Sequence, residues 1–179
     1  MKWLILILAL CSAPSFAETL PALKGWDVVS GQETIVSWQE KKGTVLVFIS
    51  SLCPCSNAHI EHLKTLAQKF PAINFVGIHS NADENAKNSK EYFAQQNLPF
   101  PVLRDEKSIW ANRLKAYRTP HSFLISPAGA VIYQGGVTSS AEAKKAEHFY
   151  LQETLDRLLA GKKIETNKTR VIGCEIARN

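Results

Sequence analysis

Apolar residues follow two kinds of spacing along this chain. The stretches 44–49 (Thr-Val-Leu-Val-Phe-Ile) and 73–78 are apolar and rich in β-branched residues, the pattern of strands buried on both faces. Between them Ile60, Leu63, Leu66, Ala67 and Phe70 recur at helical spacing, and Pro71 closes that helix. Residues 84–97 read as a polar helix turning Tyr92 and Phe93 inward, 101–103 as a short strand, and 108–114 as a short helix carrying Ile109, Trp110 and Leu114. Strands at 122–125 and 130–133 are joined by Ser126-Pro127-Ala128-Gly129, a tight-turn sequence. Phe149, Leu151, Leu155, Leu158 and Leu159 predict a long amphipathic helix over 141–160, stopped at Gly161. The tail 162–179 is polar except for Val171-Ile172-Gly173-Cys174. A βαβ half followed by a ββα half predicts an α/β fold, a mixed central sheet flanked by helices on both faces.

The start of the chain reads as an address. Lys2 precedes an apolar run over 4–10, too short to span a bilayer, and Ala13-Pro14-Ser15-Phe16-Ala17 places small residues for cleavage before Glu18. Residues 1–17 are therefore expected to be a signal peptide and 18–179 one domain with a C-terminal tail over 162–179, exported to the periplasm or secreted. A lipoprotein cut at Cys11 would want a small residue where Leu10 stands. Lys and Arg number 21 against 16 Asp and Glu, a net charge of +5 of which Lys2 contributes one. The surplus is spread over doublets (Lys41-Lys42, Lys144-Lys145, Lys162-Lys163) with no basic stripe, so neither nucleic acid nor stable membrane insertion is expected.

Beyond the leader three cysteines remain, Cys53, Cys55 and Cys174, too few for a disulfide-stapled scaffold. Cys53-Pro54-Cys55 sits where the first long buried strand hands over to a helix. There, unsatisfied N–H groups stabilise a thiolate. The residue pattern thus points to thiol chemistry.

Several motifs together carry a family resemblance. They are Phe48-Ile49-Ser50-Ser51-Leu52-Cys53-Pro54-Cys55, then Tyr117-Arg118-Thr119-Pro120-His121-Ser122-Phe123-Leu124-Ile125, Tyr133-Gln134-Gly135 on the hairpin, and the ending 155–162 and 169–176. In them the chain resembles the redoxin group of the thioredoxin-like, alkyl-hydroperoxide-reductase/thiol-specific-antioxidant superfamily, in its exported bacterial form. The resemblance implies a thioredoxin-like fold and a thiol–disulfide oxidoreductase that needs no cofactor. Its partners would be protein or small-molecule thiols and disulfides, together with a membrane-linked electron donor. In the family register Cys53 is the attacking thiol, Ser56 stands where the second cysteine usually lies, and Leu52 replaces a tryptophan. Cys55, Cys174 or an outside thiol would then resolve the mixed disulfide. Thr119-Pro120 matches the cis-proline site that binds substrate backbone.

The same resemblance implies a competing activity, thiol peroxidase, with Cys53 peroxidatic, Cys174 or Cys55 resolving, and Arg118 polarising the peroxide. Ser50 stands three residues before Cys53, where that signature has a threonine, and Leu46 where it has a proline. A third reading is a copper chaperone using Cys53, Cys55 and His59, with His62 in support, since Cys55 and His59 lie one helical turn apart. That spacing lacks the chaperones' Cys-x-x-x-Cys, so no metal site is expected, and His59 and His62 are expected on an exposed helix face. His121 is expected at a strand edge, and Asp105-Glu106 as solvated loop charge.

Overall fold

The structure, a computed structural model, describes residues 19–178; the expected signal peptide lies outside the described residues. The first element is a hairpin, β1 (Leu23–Trp26) with β2 (Glu33–Val36), which the apolar pattern does not announce. Its strands are short and bury only Leu23 and Val36. Asp27 ties it down: Oδ1 accepts from the N–H groups of Val29 (3.1 Å) and Ser30 (2.6 Å), and Oδ2 from Val102 N–H (3.0 Å).

The expected elements follow, together with short ones that the apolar pattern does not announce. They are β3 (Thr44–Phe48), the single turn α1 (Pro54–Asn57), α2 (Ile60–Lys69), β4 (Asn74–His79), α3 (Ala86–Gln96), β5 (Val102–Arg104) and α4 (Ile109–Leu114). After them come β6 (Arg118–Thr119), β7 (His121–Ile125), β8 (Val131–Gly135), α5 (Tyr150–Leu159) and β9 (Cys174–Glu175). The five-stranded sheet runs β5-β4-β3-β7-β8, with β3, β4 and β5 parallel and β7 and β8 antiparallel. This is the mixed sheet of a thioredoxin-like α/β fold.

The central strand explains the two-sided core. Along β3 and just past its end, Val45, Val47 and Ile49 join Leu63, Leu66, Phe93, Leu151 and Leu155 on one face. Leu46 and Phe48 join Val76, Ile78, Trp110, Leu114 and Phe123 on the other. Successive side chains of a strand point to opposite faces, so an apolar run serves two layers at once. Phe48 and Phe123 meet edge-on at 5.7 Å, a preferred aromatic geometry.

Three expectations are corrected. The long helix over 141–160 is only α5; before it lies one 3-10 turn, Ala143–Lys145. Ser139 Oγ accepts from Glu147 N–H (3.1 Å) and His148 N–H (3.0 Å), and Glu153 Oε1 accepts from Phe149 N–H (3.0 Å). Side-chain acceptors thus take donors that a continuous helix would use. Asp105 is not solvated loop charge: it is buried, and accepts from Ser80 Oγ (2.7 Å), Trp110 N–H (2.8 Å) and Ala111 N–H (2.9 Å), capping α4. His121 is buried at the start of β7, an interior strand, with Phe123 at 4.4 Å and Tyr117 at 5.3 Å between ring centroids.

The tail does not trail away. Thr169 N–H donates to Gln134 O (3.1 Å) and Ile176 N–H to Tyr117 O (3.1 Å), and Ala82 N–H donates to Ala177 O (2.9 Å). Val171 and Ile176 are buried, and β9 pairs antiparallel with β6.

Burial, helped by the nearby charge of Lys168, pushes the His121 imidazole down to about 4. The unfolded chain therefore binds the proton first as pH falls, and stability drops from about pH 6.5 downward. The His121 share of the loss at pH 4 is about 3 kcal/mol. Denaturant unfolding at pH 7 and pH 4 should show His121→Asn losing less on acidification than the unsubstituted protein by roughly that amount.

Candidate active site

The site is assembled at the end of β3. Cys53 occupies the cap position before α1, with extended backbone, and Pro54 takes the first helical position, where its missing N–H costs nothing. Ser56 N–H donates to Cys53 Sγ at 3.3 Å, so the sulfur itself caps the turn. The long helix begins only at Ile60; the N–H donor of this one turn, rather than a long helix end, serves the sulfur.

The loop before Cys53 is held from below. Ser50 Oγ accepts from Cys53 N–H (3.0 Å) and Leu52 N–H (3.2 Å) and donates to Glu84 Oε1 (2.5 Å). Glu84, almost fully buried, also accepts from Ser51 N–H (2.9 Å) and from the Ser51 hydroxyl. Its Oε2 lies 4.0 Å from Nε2 of the buried His79, whose proton affinity burial lowers. The sequence pattern makes Glu84 only the first residue of a polar helix, whereas α3 begins at Ala86 and Glu84 lies before it. A carboxylate that accepts bonds from both serines of a pre-cysteine loop leaves no periodic trace in a sequence.

The second wall comes from β6. The Thr119–Pro120 peptide is cis, as the resemblance implied. The Cys53 thiol donates to Thr119 O at 3.1 Å. Thr119 Oγ1 is buried and makes no hydrogen bond within ordinary geometry, so its proton is free to turn toward the sulfur. Arg118 precedes it, with its guanidinium carbon 5.8 Å from the Tyr117 ring centroid and its Nε buried without a partner.

The third wall is the tail. Thr119 pairs with Cys174, and Gly173 lies so close that a Cβ there would sit 2.0 Å from Thr119 O. Only glycine permits that approach. As a result the sulfurs of Cys53, Cys55 and Cys174 all lie within 4.8 Å of one another, as free thiols, Cys53 buried and the other two half-buried. The structure therefore brings together both cysteines proposed to resolve Cys53, along with Thr119 and Pro120.

The thiols differ in acidity. Burial would push Cys53 up, but hydrogen bonds from the Cys174 and Thr119 side chains and from the Ser56 and Cys174 backbone outweigh it, leaving the thiol below its ordinary range. Burial and then the neighbouring Cys53 charge push Cys55 up. Cys174 is pushed up to about 12 by burial, by its hydrogen bond to Cys53, and by the charges of Cys53 and Cys55. The site favours one negative charge, on Cys53.

The expected histidine placement is corrected as well. His59 is buried, with Nδ1 2.7 Å from Cys55 O and Nε2 2.9 Å from Thr138 Oγ1. Both nitrogens are engaged, so His59 braces the turn and offers no ligand. His62 stands 5.2 Å from the Phe149 ring, partly buried, rather than on an exposed face. Leu52, at the tryptophan position, is 68% exposed beside the thiols.

Comparison with known proteins gives the family and the fold. The soluble secreted antigen MPT53 of Mycobacterium tuberculosis is 39% identical over 71 residues, 39% of this chain and 40% of that relative's length. A conserved protein from Geobacillus kaustophilus superposes with a TM-score of 0.81 at 24% identity, over 91% of this chain and 92% of that one. A secreted Mycobacterium tuberculosis disulfide oxidoreductase homologous to Escherichia coli DsbE gives 0.57 at 22% identity, over 78% and 95% of the two chains. The peroxidoxin BcpB of the same organism gives 0.61 at 16%, over 80% and 96%. At these identities the structural likeness is one of fold. The AhpC/TSA family model matches residues 11–134, more than half of the chain, and ends before the tail that carries Cys174. The chain belongs to the AhpC/TSA family, the redoxins.

Proposed function

We propose that the protein is an exported thiol–disulfide oxidoreductase in which Cys53 attacks and Cys174 closes the internal bond. The observation that carries this is the β6–β9 pairing, which seats the tail cysteine on the acidic thiol. Export rests on the residues of the leader and on the likeness to a secreted antigen. The periplasm is the compartment that this reading names. Among the described residues no helix is long and apolar enough to cross a membrane.

The reaction is a two-electron exchange. Cys53 thiolate attacks one sulfur of a partner disulfide; a Cys53–partner bond forms, the partner's S–S bond breaks, and the other partner sulfur leaves as thiolate and takes a proton from water. Cys174 then gives up its proton and attacks Cys53 Sγ, which forms Cys53–Cys174 and releases the partner's second thiol. Run backward, the same steps oxidise a partner dithiol. Cys55 is the poorer closer. Its sulfur also lies within 4.8 Å of Cys53, but closing a ring across Pro54 alone would strain the disulfide and distort the single turn that Cys53 caps.

Peroxide reduction is the competing chemistry, and the residues offer it less. Leu46 fills the proline position of the peroxidatic signature. The Ser50 hydroxyl, standing in for its threonine, is committed to backbone N–H groups and to Glu84 rather than to the sulfur.

Reduced protein given a small disulfide should release both of its thiols and yield a Cys53–Cys174 link by peptide mapping. Cys53→Ser should abolish the reaction, and Cys174→Ala should stop it at the mixed disulfide. Fast hydrogen peroxide consumption lost in Cys53→Ser, with no exchange of disulfides, would reverse the assignment in favour of the peroxidase.

The rate of the first step should rise with pH and level off above the Cys53 pKa, at lower pH than for a free cysteine. Because Cys174 supplies hydrogen bonds that lower that pKa, Cys174→Ala should move the profile to higher pH, read by thiolate absorbance or alkylation rate.

Gly173→Ala tests the approach of the tail directly. An added Cβ forces the strand away from Thr119. The first step should survive, while closure of Cys53–Cys174 should slow by about a hundredfold, the cost expected of roughly 1 Å of misplacement. Stopped-flow release of the second thiol measures it.

A further inference from the structure

Thiol–disulfide exchange uses two sulfurs, and this site holds three. Cys53, Cys55 and Cys174 come from the cap of α1, its first turn and the C-terminal tail, yet all three sulfurs lie within 4.8 Å of one another. A metal with bonds to sulfur of about 2.3 Å sets a trigonal triangle of sulfurs about 4.0 Å on a side. The observed cluster reaches that triangle by sub-ångström movements of side chains, two of which are half-buried.

The donor set is all sulfur. His59, the imidazole nearest in sequence, has both nitrogens engaged, and Glu84 is tied to Ser50 and Ser51. Thiolate donors select soft ions, Cu(I) and Zn(II) among them. Zinc takes four ligands in structural sites. Three sulfurs without a nitrogen or oxygen donor match the lower coordination number of a monovalent d¹⁰ ion. Access also fits, since Cys53 forms the floor while Cys55 and Cys174 form the open rim.

We propose that the reduced protein binds one cuprous ion through the sulfurs of Cys53, Cys55 and Cys174. The binding is a ligand exchange with no change of oxidation state: three Cu–S bonds form, the carrier that delivered the ion departs, and protons still on the sulfurs pass to solvent. It goes beyond the exchange activity and excludes it while the ion is bound, because the same Cys53 electron pair serves both. A chain already oxidised by a partner disulfide to the Cys53–Cys174 link retains one of the three donors, so only the reduced chain can hold the ion. The C-terminal tail thereby makes the site, since Cys53 and Cys55 alone would offer two sulfurs.

The test is an anaerobic titration of the reduced full chain with Cu(I), in competition with the chromophoric chelator bathocuproine disulfonate. Expected are one ion per chain, three sulfur neighbours at about 2.3 Å by X-ray absorption, and a loss of affinity of at least about tenfold in both Cys55→Ala and Cys174→Ala. Protein oxidised to the Cys53–Cys174 disulfide should take up none at the same chelator concentration. Two sulfurs with a nitrogen neighbour, or affinity unchanged in Cys174→Ala, overturns the proposal. The absorption measurement needs no variant, so loosening of the tail by substitution cannot imitate its count of sulfur neighbours. Disulfide exchange is assayed without copper, so a failure of the enzymatic reading and a failure of the metal site are seen separately.

Discussion

Everything distinctive about this site depends on one backbone pair, Thr119 with Cys174. Cys53 and Cys55 are neighbours in sequence and need no fold to bring them close. Cys174 is more than a hundred residues away, on a segment that is mostly polar, and an untethered tail would visit the site rarely. Two ladder residues alone are a weak anchor, so the contact is shared out. Buried Val171 and Ile176 hold the segment on either side, Ile176 and Ala177 bond to the loops after α4 and β4, and Gly173 removes the Cβ that would keep the strands apart. Each of these contacts is modest. Together they convert a bimolecular encounter of thiols into contact within one molecule.

That contact also decides which sulfur is charged. Two thiolates within 4.8 Å of each other repel by at least about 3.5 kcal/mol at an effective dielectric constant of about 20. Only one of three clustered thiols therefore ionises readily, and the hydrogen bonds choose it. Ser56 N–H donates to Cys53, and the Thr119 hydroxyl and Cys174 beside it favour its charged form, while burial, the contact with Cys53 and the neighbouring charges push Cys174 up to about 12. No cationic side chain figures among the influences that lower Cys53. An attacking thiolate paired with a protonated neighbour suits the proposed exchange. The first acts at once, and the second gives up its proton more readily once the mixed disulfide removes the Cys53 charge, one of the influences that add to burial in raising it.

Legibility in the sequence followed the range of the interaction. Strand β3, helix α2 and the parallel partner β4 came from apolar runs and periodic spacing, because burial on both faces of a sheet writes itself into consecutive residues. The Thr119–Pro120 bend was implied by the family resemblance of the motif around it. What stayed hidden is held by single contacts over long separations. Glu84 reaches Ser50 and Ser51 across more than thirty residues, His59 braces Thr138, and β9 is only two residues long. None of these has a period to detect. Asp105 and His59 looked exposed for a related reason: a polar residue within a polar stretch gives no sign that the fold will bury it with partners.

The pairing of β9 with β6 bears on which partners the thiols meet. An edge strand such as β6 offers backbone groups to whatever extended chain lies beside it. Here the protein's own tail takes that place, and its cysteine stands over Cys53 as a partner's cysteine would. A small disulfide needs only the opening between the half-buried Cys55 and Cys174, beside exposed Leu52. An extended protein chain must first displace residues 173–176, giving up the burial of Ile176 and its bond to Tyr117 O. The tail therefore tilts the proposed enzyme toward compact substrates, and the same segment that completes the thiol pair restricts what can reach it.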